Sequence, residues 1–203
     1  MRKDVRRERR RLEIVNATWR IIARKGIEHA TMREIAAEAG LTNGALKPYF
    51  PAKDDLLSAA FEHVFDQTNE RIAISVTGKQ GLSALVALCR EVLPLDEERV
   101  NEARIVVSFW QNAMIDRDKA RFHAESLDRW RTAIIAYLEQ ARRAGEITSP
   151  VGSEDVAEQL LTLMAGAQVL ATLSDQSEPP GRFDAQLHSY LELLIAQRRG
   201  DCG

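Results

Sequence analysis

The sequence predicts an all-α protein of about nine helices, an N-terminal three-helix helix-turn-helix domain followed by a larger helical domain. Apolar residues recur at three- and four-residue spacing, no stretch sustains the period-two alternation of a strand, and glycine and proline punctuate the periodic runs. With 203 residues, 45% of them hydrophobic, the chain can bury a real core.

A first helix is expected from about Val5 to Lys25, with Ile14, Ala17, Trp19, Ile21 and Ile22 inward and Gly26 as its stop. Short helices follow near 32–39 and 43–48. A longer one begins near Lys53, after Pro51, and carries Leu56, Ala60, Phe61, Val64 and Phe65 toward Ser75. We place the domain boundary there, 1–52 and 53–203, with this fourth helix joining the two. Beyond the break at Thr77 to Gly81, helices are expected at about 82–93, 97–116 and 118–144, ended by Pro94 and Gly145. The seventh shows a stripe at Leu127, Trp130, Ile134, Leu138 and Ala141. Ser153 reads as an N-cap, with Glu154 and Asp155 suited to the helix dipole, of an eighth helix running to about Leu173. Asp175 to Gly181 reads as a linker, and a ninth helix from Phe183 carries Leu187, Tyr190 and Leu194.

The near-neutral whole, net −2, hides a partition. Residues 1–53 hold 13 Lys+Arg against 6 Asp+Glu, and residues 54–203 hold 15 against 24. A basic head on an acidic body lets one end alone approach phosphate. A run such as Arg6, Arg7, Arg9, Arg10 and Arg11 is ordinarily a solvated surface or a flexible arm, but here it precedes the hairpin described next. Cys89 and Cys202 have neither disulfide nor zinc spacing and read as reduced thiols. The start carries no signal-peptide core, and Leu160 to Leu173 is too short to span a bilayer, so a cytoplasmic protein without a membrane partner is expected.

Thr31 to Phe50 is the most informative segment. Thr31 and Glu34 form a capping box, Ile35, Ala36 and Ala39 make an apolar face, and Gly40 supplies the positive φ of a tight interhelical turn. Leu41 plugs the crossing, Thr42 caps the next helix, and Leu46 and Tyr49 face inward. Asn43, Gly44, Ala45 and Lys47 then face outward, where an amide, a methyl and an ammonium suit base edges and phosphate. Spacing alone fits a plain helical hairpin equally well; the basic head tips the reading toward DNA.

Residues of about 12 to 62 resemble the DNA-binding domain of the TetR family of transcription regulators. The resemblance rests, in order, on Gly26, Thr31, Ile35-Ala36, Ala39-Gly40, Gly44-x-Leu46, Tyr49-Phe50 and Lys53. It implies phosphate contacts from Thr31, Thr42, Tyr49 and Lys53, with Arg33 placed beside them, and base contacts from Asn43, Ala45 and Lys47. Lys47-Pro48 departs from the family pattern. Pro48 cannot donate to the Gly44 carbonyl and biases Lys47 away from helical geometry, so the recognition helix should end early.

In the family, helices 5 to 7 enclose an effector pocket and helices 8 and 9 of two subunits form the dimer interface. Phe109-Trp110 and Trp130-Arg131 resemble the subgroup of the choline-responsive betaine repressor, without naming choline as ligand. Ala165-Gly166-Ala167 would allow close approach at a dimer seam. Pocket candidates are Phe65, Trp110, Gln111, Met114, Trp130, Tyr137 and Gln168, although ordinary core is the commoner fate of such side chains. His123, also considered, reads better as a surface histidine among charged neighbours. No helical metal pair arises from His29, His63, His123 and His188, and no phosphate loop or nucleophile motif is present. The expectation is a homodimeric, ligand-responsive DNA-binding regulator, a repressor of a palindromic operator, without enzymatic activity or cofactor. The alternative is a helical homodimeric module that binds a ligand or partner but no operator.

Overall fold

The computed structural model describes residues 2–173 and 181–195. Among them are nine α-helices, one 3-10 turn and no strand. The expected linker lies outside the described residues save Gly181, and so do the C-terminal tail and Cys202.

The head comprises α1 (Arg2–Lys25), a 3-10 turn (Ile27–His29), α2 (Met32–Glu38) and α3 (Asn43–Leu46), followed by α4 (Lys53–Ser75). The body adds α5 (Gly81–Val92), α6 (Glu97–Ala113), α7 (Arg117–Arg143), α8 (Ser153–Leu173) and α9 (Gly181–Ile195). Local chemistry sets several of these ends. Gly26 stops α1 at φ 88°. The Ala52 amide donates to Asp55 Oδ2 at 2.9 Å and opens α4. Asp96 accepts from the Arg99 amide at 2.9 Å, and Asp116 accepts from the amides of Asp118 and Lys119 at 3.0 and 3.2 Å, which starts α6 and α7.

Two apolar clusters share these helices. The head cluster gathers Ile14, Ile22, Ile35, Leu46 and Phe50, then continues past the expected boundary into Leu56 to Val64 of α4 and Ile105, Val106 and Phe109 of α6. The body cluster joins Ile72 of α4 to α5, α7, α8 and α9. Helix α4 therefore belongs to both, and α1 packs on α6 as well as on α4. At roughly 1.5–3 kcal/mol for each fully buried Leu, Ile or Phe, such shared residues make head and body stabilise one another. Cys89 is buried in the second cluster, where burial pushes its thiol up to about 12.

Some expectations need correction. The arginine run is the first turns of α1 rather than an arm: Arg7 donates to the Pro48 carbonyl at 3.4 Å, and the Arg11 guanidinium sits 5.1 Å from the Phe50 ring centre. Ser153 is the first residue of α8, not its cap. Its hydroxyl is turned onto α7, where it accepts from Arg142 Nε at 3.1 Å and donates to Glu139. Helix α8, 21 residues long, is apolar and long enough by composition to cross a membrane. Val156, Ala157, Leu160, Leu161, Met164 and Ala167 are nevertheless buried in the core, so one face of it is a core face.

Candidate nucleic-acid interface and ligand cavity

Helix α2 begins at Thr31, whose Oγ1 accepts from the Glu34 amide at 3.2 Å. The reciprocal half of the box differs from expectation: the Thr31 amide donates to the His29 carbonyl, and the Glu34 carboxylate takes the Thr31 hydroxyl at 3.3 Å instead. The helix closes in a Schellman motif. Gly40, at φ 66°, donates to the Ala37 carbonyl at 3.1 Å, and Leu41 donates to Ala36 at 2.8 Å. That turn aims α3 across α2. Leu46, fully buried, is its anchor, and Phe50 closes the head core behind it.

Anchoring Leu46 leaves Thr42, Asn43, Gly44, Lys47 and Pro48 exposed and Ala45 and Tyr49 half-buried. Thr42 has N-cap backbone geometry without a side-chain cap bond. As the proline implies, regular helix ends at Leu46. Lys47, however, keeps helical angles (φ −52°, ψ −37°), so the expected bias away from them is not realised. The amides of Tyr49 and Phe50 both bond the Leu46 carbonyl at 2.9 Å and hold the chain in a turn that tolerates the missing Pro48 donor. Thr31 and Arg33 are exposed on the adjoining helix. Lys53, half-buried, reaches back to the Ile27 carbonyl at 3.4 Å.

The cavity lies between α4, α6, α7 and α8. Phe65, Trp110, Trp130 and Gln168 line it. Gln111 and Met114 do not: Gln111 is exposed on α6, one residue and about 100° round the helix from Trp110, and Met114 is 82% exposed at its C-terminal end. Tyr137 is packed against the body cluster instead. His123 is corrected in the opposite sense. It is half-buried on the cavity wall, its ring 5.5 Å from that of Trp110 and 6.1 Å from that of Phe61, and burial holds its pKa below 6.5.

Charged groups on the cavity wall were not expected. Arg99, Glu102, Val106 and Trp110 share one face of α6 and all line the cavity. Arg71 of α4 donates two bonds to Glu102, at 2.9 and 2.8 Å, one to Thr68 at 3.2 Å and one to Glu91 of α5 at 3.3 Å. Arg99 binds Glu91 at 2.5 Å and also Asp96. Burial raises the pKa of Glu102, and the Arg71 contacts offset this only in part. Burial also works to raise Glu91, but hydrogen bonds from Ser75 and Arg99 and the charges of Arg99 and Arg71 hold it below the usual carboxylate range. The i, i+3, i+7, i+11 spacing from Arg99 to Trp110 was a signal for this face; the partners across helices were not.

Comparison with known proteins agrees with this geometry. Residues 14–60 match the model of the bacterial regulatory proteins of the tetR family, and residues 82–196 match the BetI-type transcriptional repressor C-terminal domain. The HTH-type transcriptional regulator PksA of Bacillus subtilis (strain 168) is 31% identical over 97% of this chain and 95% of its own. Among solved structures, a transcriptional regulator from Rhodococcus sp. Rha1 superposes with a TM-score of 0.78 at 27% identity, over 92% of this chain and 96% of its own. A putative regulator from Saccharomonospora viridis, solved with choline, has the same fold, with a TM-score of 0.80 at 21% identity over 90% of this chain and 95% of its own. The chain thus belongs to the tetR family, with a BetI-type C-terminal domain, and is a ligand-responsive DNA-binding transcription regulator.

Proposed function

We propose that the protein is a homodimeric repressor that leaves a palindromic operator when a small molecule fills the cavity. The observation that carries this reading is the double use of α4. Lys53 at its start adjoins the recognition segment, whereas Phe65 and Thr68, three to four turns on, line the cavity. A molecule seated against α4 changes the angle at which the head is presented. Thr31, Thr42, Tyr49 and Lys53, with Arg33 beside them, contact phosphates, and Asn43, Ala45 and Lys47 face base edges in the major groove. Because α3 is one turn long, base reading concentrates at its amino end.

The dimer forms through α8 and α9. Leu170, Leu173, Leu193 and Ile195 are exposed on these helices, and a Cβ added at Gly166 meets nothing within 4 Å. A second copy covering that face explains an apolar helix whose other face is core. The protein acts in the cytoplasm, by binding rather than by catalysis, on double-stranded DNA and an effector.

A gel shift on the DNA flanking its own gene, at low salt and with candidate metabolites, tests the reading. Binding free energies are linked, so an effector that weakens operator binding must itself bind more weakly to the operator complex by the same factor. A shift that no metabolite relieves removes the switch, and no shift at low salt favours the module without operator binding.

A further inference from the structure

Three buried polar atoms among the described residues have no hydrogen-bond partner: Arg99 Nε, Trp110 Nε1 and His123 Nδ1. All three residues line the one cavity described above. Folded proteins leave few buried polar groups unpaired, and three of them on residues that wall one cavity point to something that belongs there.

The chemistry of these atoms restricts the occupant. Arg99 Nε and Trp110 Nε1 can only donate. Burial favours the neutral form of His123, whose Nδ1 then donates or accepts according to tautomer. The cavity's carboxylate is already committed, since both Glu102 oxygens accept from Arg71. Trp130 Nε1 is committed too, donating to Asn69 at 2.9 Å. Each guanidinium is already held by carboxylates, Arg71 by Glu102 and Glu91 and Arg99 by Glu91 and Asp96, which leaves no free guanidinium for an anion and no carboxylate of this cluster without a cation. The remaining wall is mostly aromatic and aliphatic, with Phe61, Phe65, Val106, Leu127, Leu161 and Met164, while Thr68, Ser126 and Gln168 already donate to the carbonyls of Val64, Phe122 and Val92. Along α6, Arg99 and Trp110 are eleven residues apart, about 16 Å at the helical rise, so the spare donors lie toward opposite ends.

We propose that the cavity binds an uncharged, largely apolar molecule bearing carbonyl or ether oxygens, one held by Trp110 Nε1 at the His123 end and a second within reach of Arg99 Nε. This rests on the reading of the cavity as the effector site and specifies its ligand class. A hydrocarbon body alone satisfies none of these donors, and a carboxylate meets a guanidinium already neutralised.

Equilibrium dialysis of the full-length protein, without DNA, tests it with four probes of similar size. These are 2-acetylnaphthalene, its isosteric alkene 2-isopropenylnaphthalene, 2-naphthoate and benzyltrimethylammonium. The ketone is expected to bind about tenfold more tightly than the alkene, the effect of one buried hydrogen bond, and more tightly than either ion. Trp110→Phe keeps the ring and removes the donor. It should bring the ketone to within about twofold of the alkene and leave the alkene unchanged, and circular dichroism checks that the variant is folded. Equal affinities of ketone and alkene for the unaltered protein, tighter binding of either ion, equal weakening of both neutral probes by Trp110→Phe, or no binding of the ketone up to its solubility each overturns the proposal. DNA is absent throughout, so these results stand apart from operator binding. A ketone that binds as expected yet leaves operator affinity unchanged supports the ligand class and counts against the release mechanism alone.

Discussion

Replacing Arg71 with lysine keeps the positive charge and most of the apolar stem but removes the two-pronged contact with Glu102. The two bonds measure 2.9 and 2.8 Å, and the side chains are 28% and 11% exposed. A hydrogen bond to a charged group contributes about 1.5–3 kcal/mol net, and lysine can remake only one of the two; with a discount for the solvent-facing part of Arg71, the expected loss is about 2 kcal/mol. The molecule contains its own control. Arg90 and Asp184 form the same fork at 2.7 and 2.9 Å, but with 46% and 31% exposure. Arg90→Lys should therefore cost no more than about 0.5–1 kcal/mol. Urea unfolding of both variants measures this, at one fixed protomer concentration because a dimer's apparent stability depends on it, and with an unchanged m-value as a condition. Equal losses for the two variants, or a loss below about 0.5 kcal/mol for Arg71→Lys, would refute the reasoning that burial gives the inner pair its strength.

Lys47→Ala and Lys53→Ala should each lower the slope of log operator affinity against log salt by about one; an unchanged slope removes that residue from the phosphate contacts. Leu46→Ala opens a hole at the fully buried anchor of α3 and should cost about 2–5 kcal/mol in denaturant unfolding, whereas a cost under about 1 kcal/mol would mean that the turn alone positions the recognition helix. His63 and His123 are both held below 6.5, His63 by burial despite the opposing charges of Asp66 and Glu70, and His123 by burial. With folded values depressed, the unfolded chain binds these protons first, so the stability the two groups contribute is fully present above about pH 6.5 and drains away as pH falls toward the folded values. His123→Gln should accordingly flatten the fall of the thermal midpoint between about pH 7.5 and about pH 5.5; an unaltered profile would show that His123 is not held neutral.

Features that depend on local backbone chemistry could be read directly from the sequence. Pro51 and the carboxylates after it place α4, whose expected span near Lys53 to Ser75 is the span found, and Gly26, Gly40 and Gly145 mark turns where φ is positive. Pro48 shortens α3 for the reason that its missing amide implies. Features that depend on which face meets which neighbour were less accessible. His123 looked like a surface residue because its sequence neighbours are charged, yet its ring turns inward against Phe61 and Trp110. Gln111 and Met114 adjoin Trp110 in sequence, but one step along a helix rotates a side chain by about 100° and takes it off the face. Spacing alone does not tell Glu91, Arg99 and Glu102 from the solvated side of amphipathic helices. Only the approach of Arg71 from another helix makes them an interior network.

The length of α4 has a mechanical consequence. Arg71, clamped to Glu102, and Lys53, beside the recognition segment, are eighteen residues apart on one uninterrupted helix, or about 27 Å of rigid rod. A pivot of about 5° at the clamped end swings the far end through about 2.4 Å of arc at that length. In a symmetric pair the two arcs add or cancel according to direction, so a deflection smaller than one atom's diameter at the cavity is magnified into a change of several ångströms in the span between paired reading heads. On the proposed release mechanism, stiffness in this rod is itself a working part. A glycine introduced at an exposed position such as Glu62 would soften the rod at a cost of about 1 kcal/mol and should weaken the communication between the two sites.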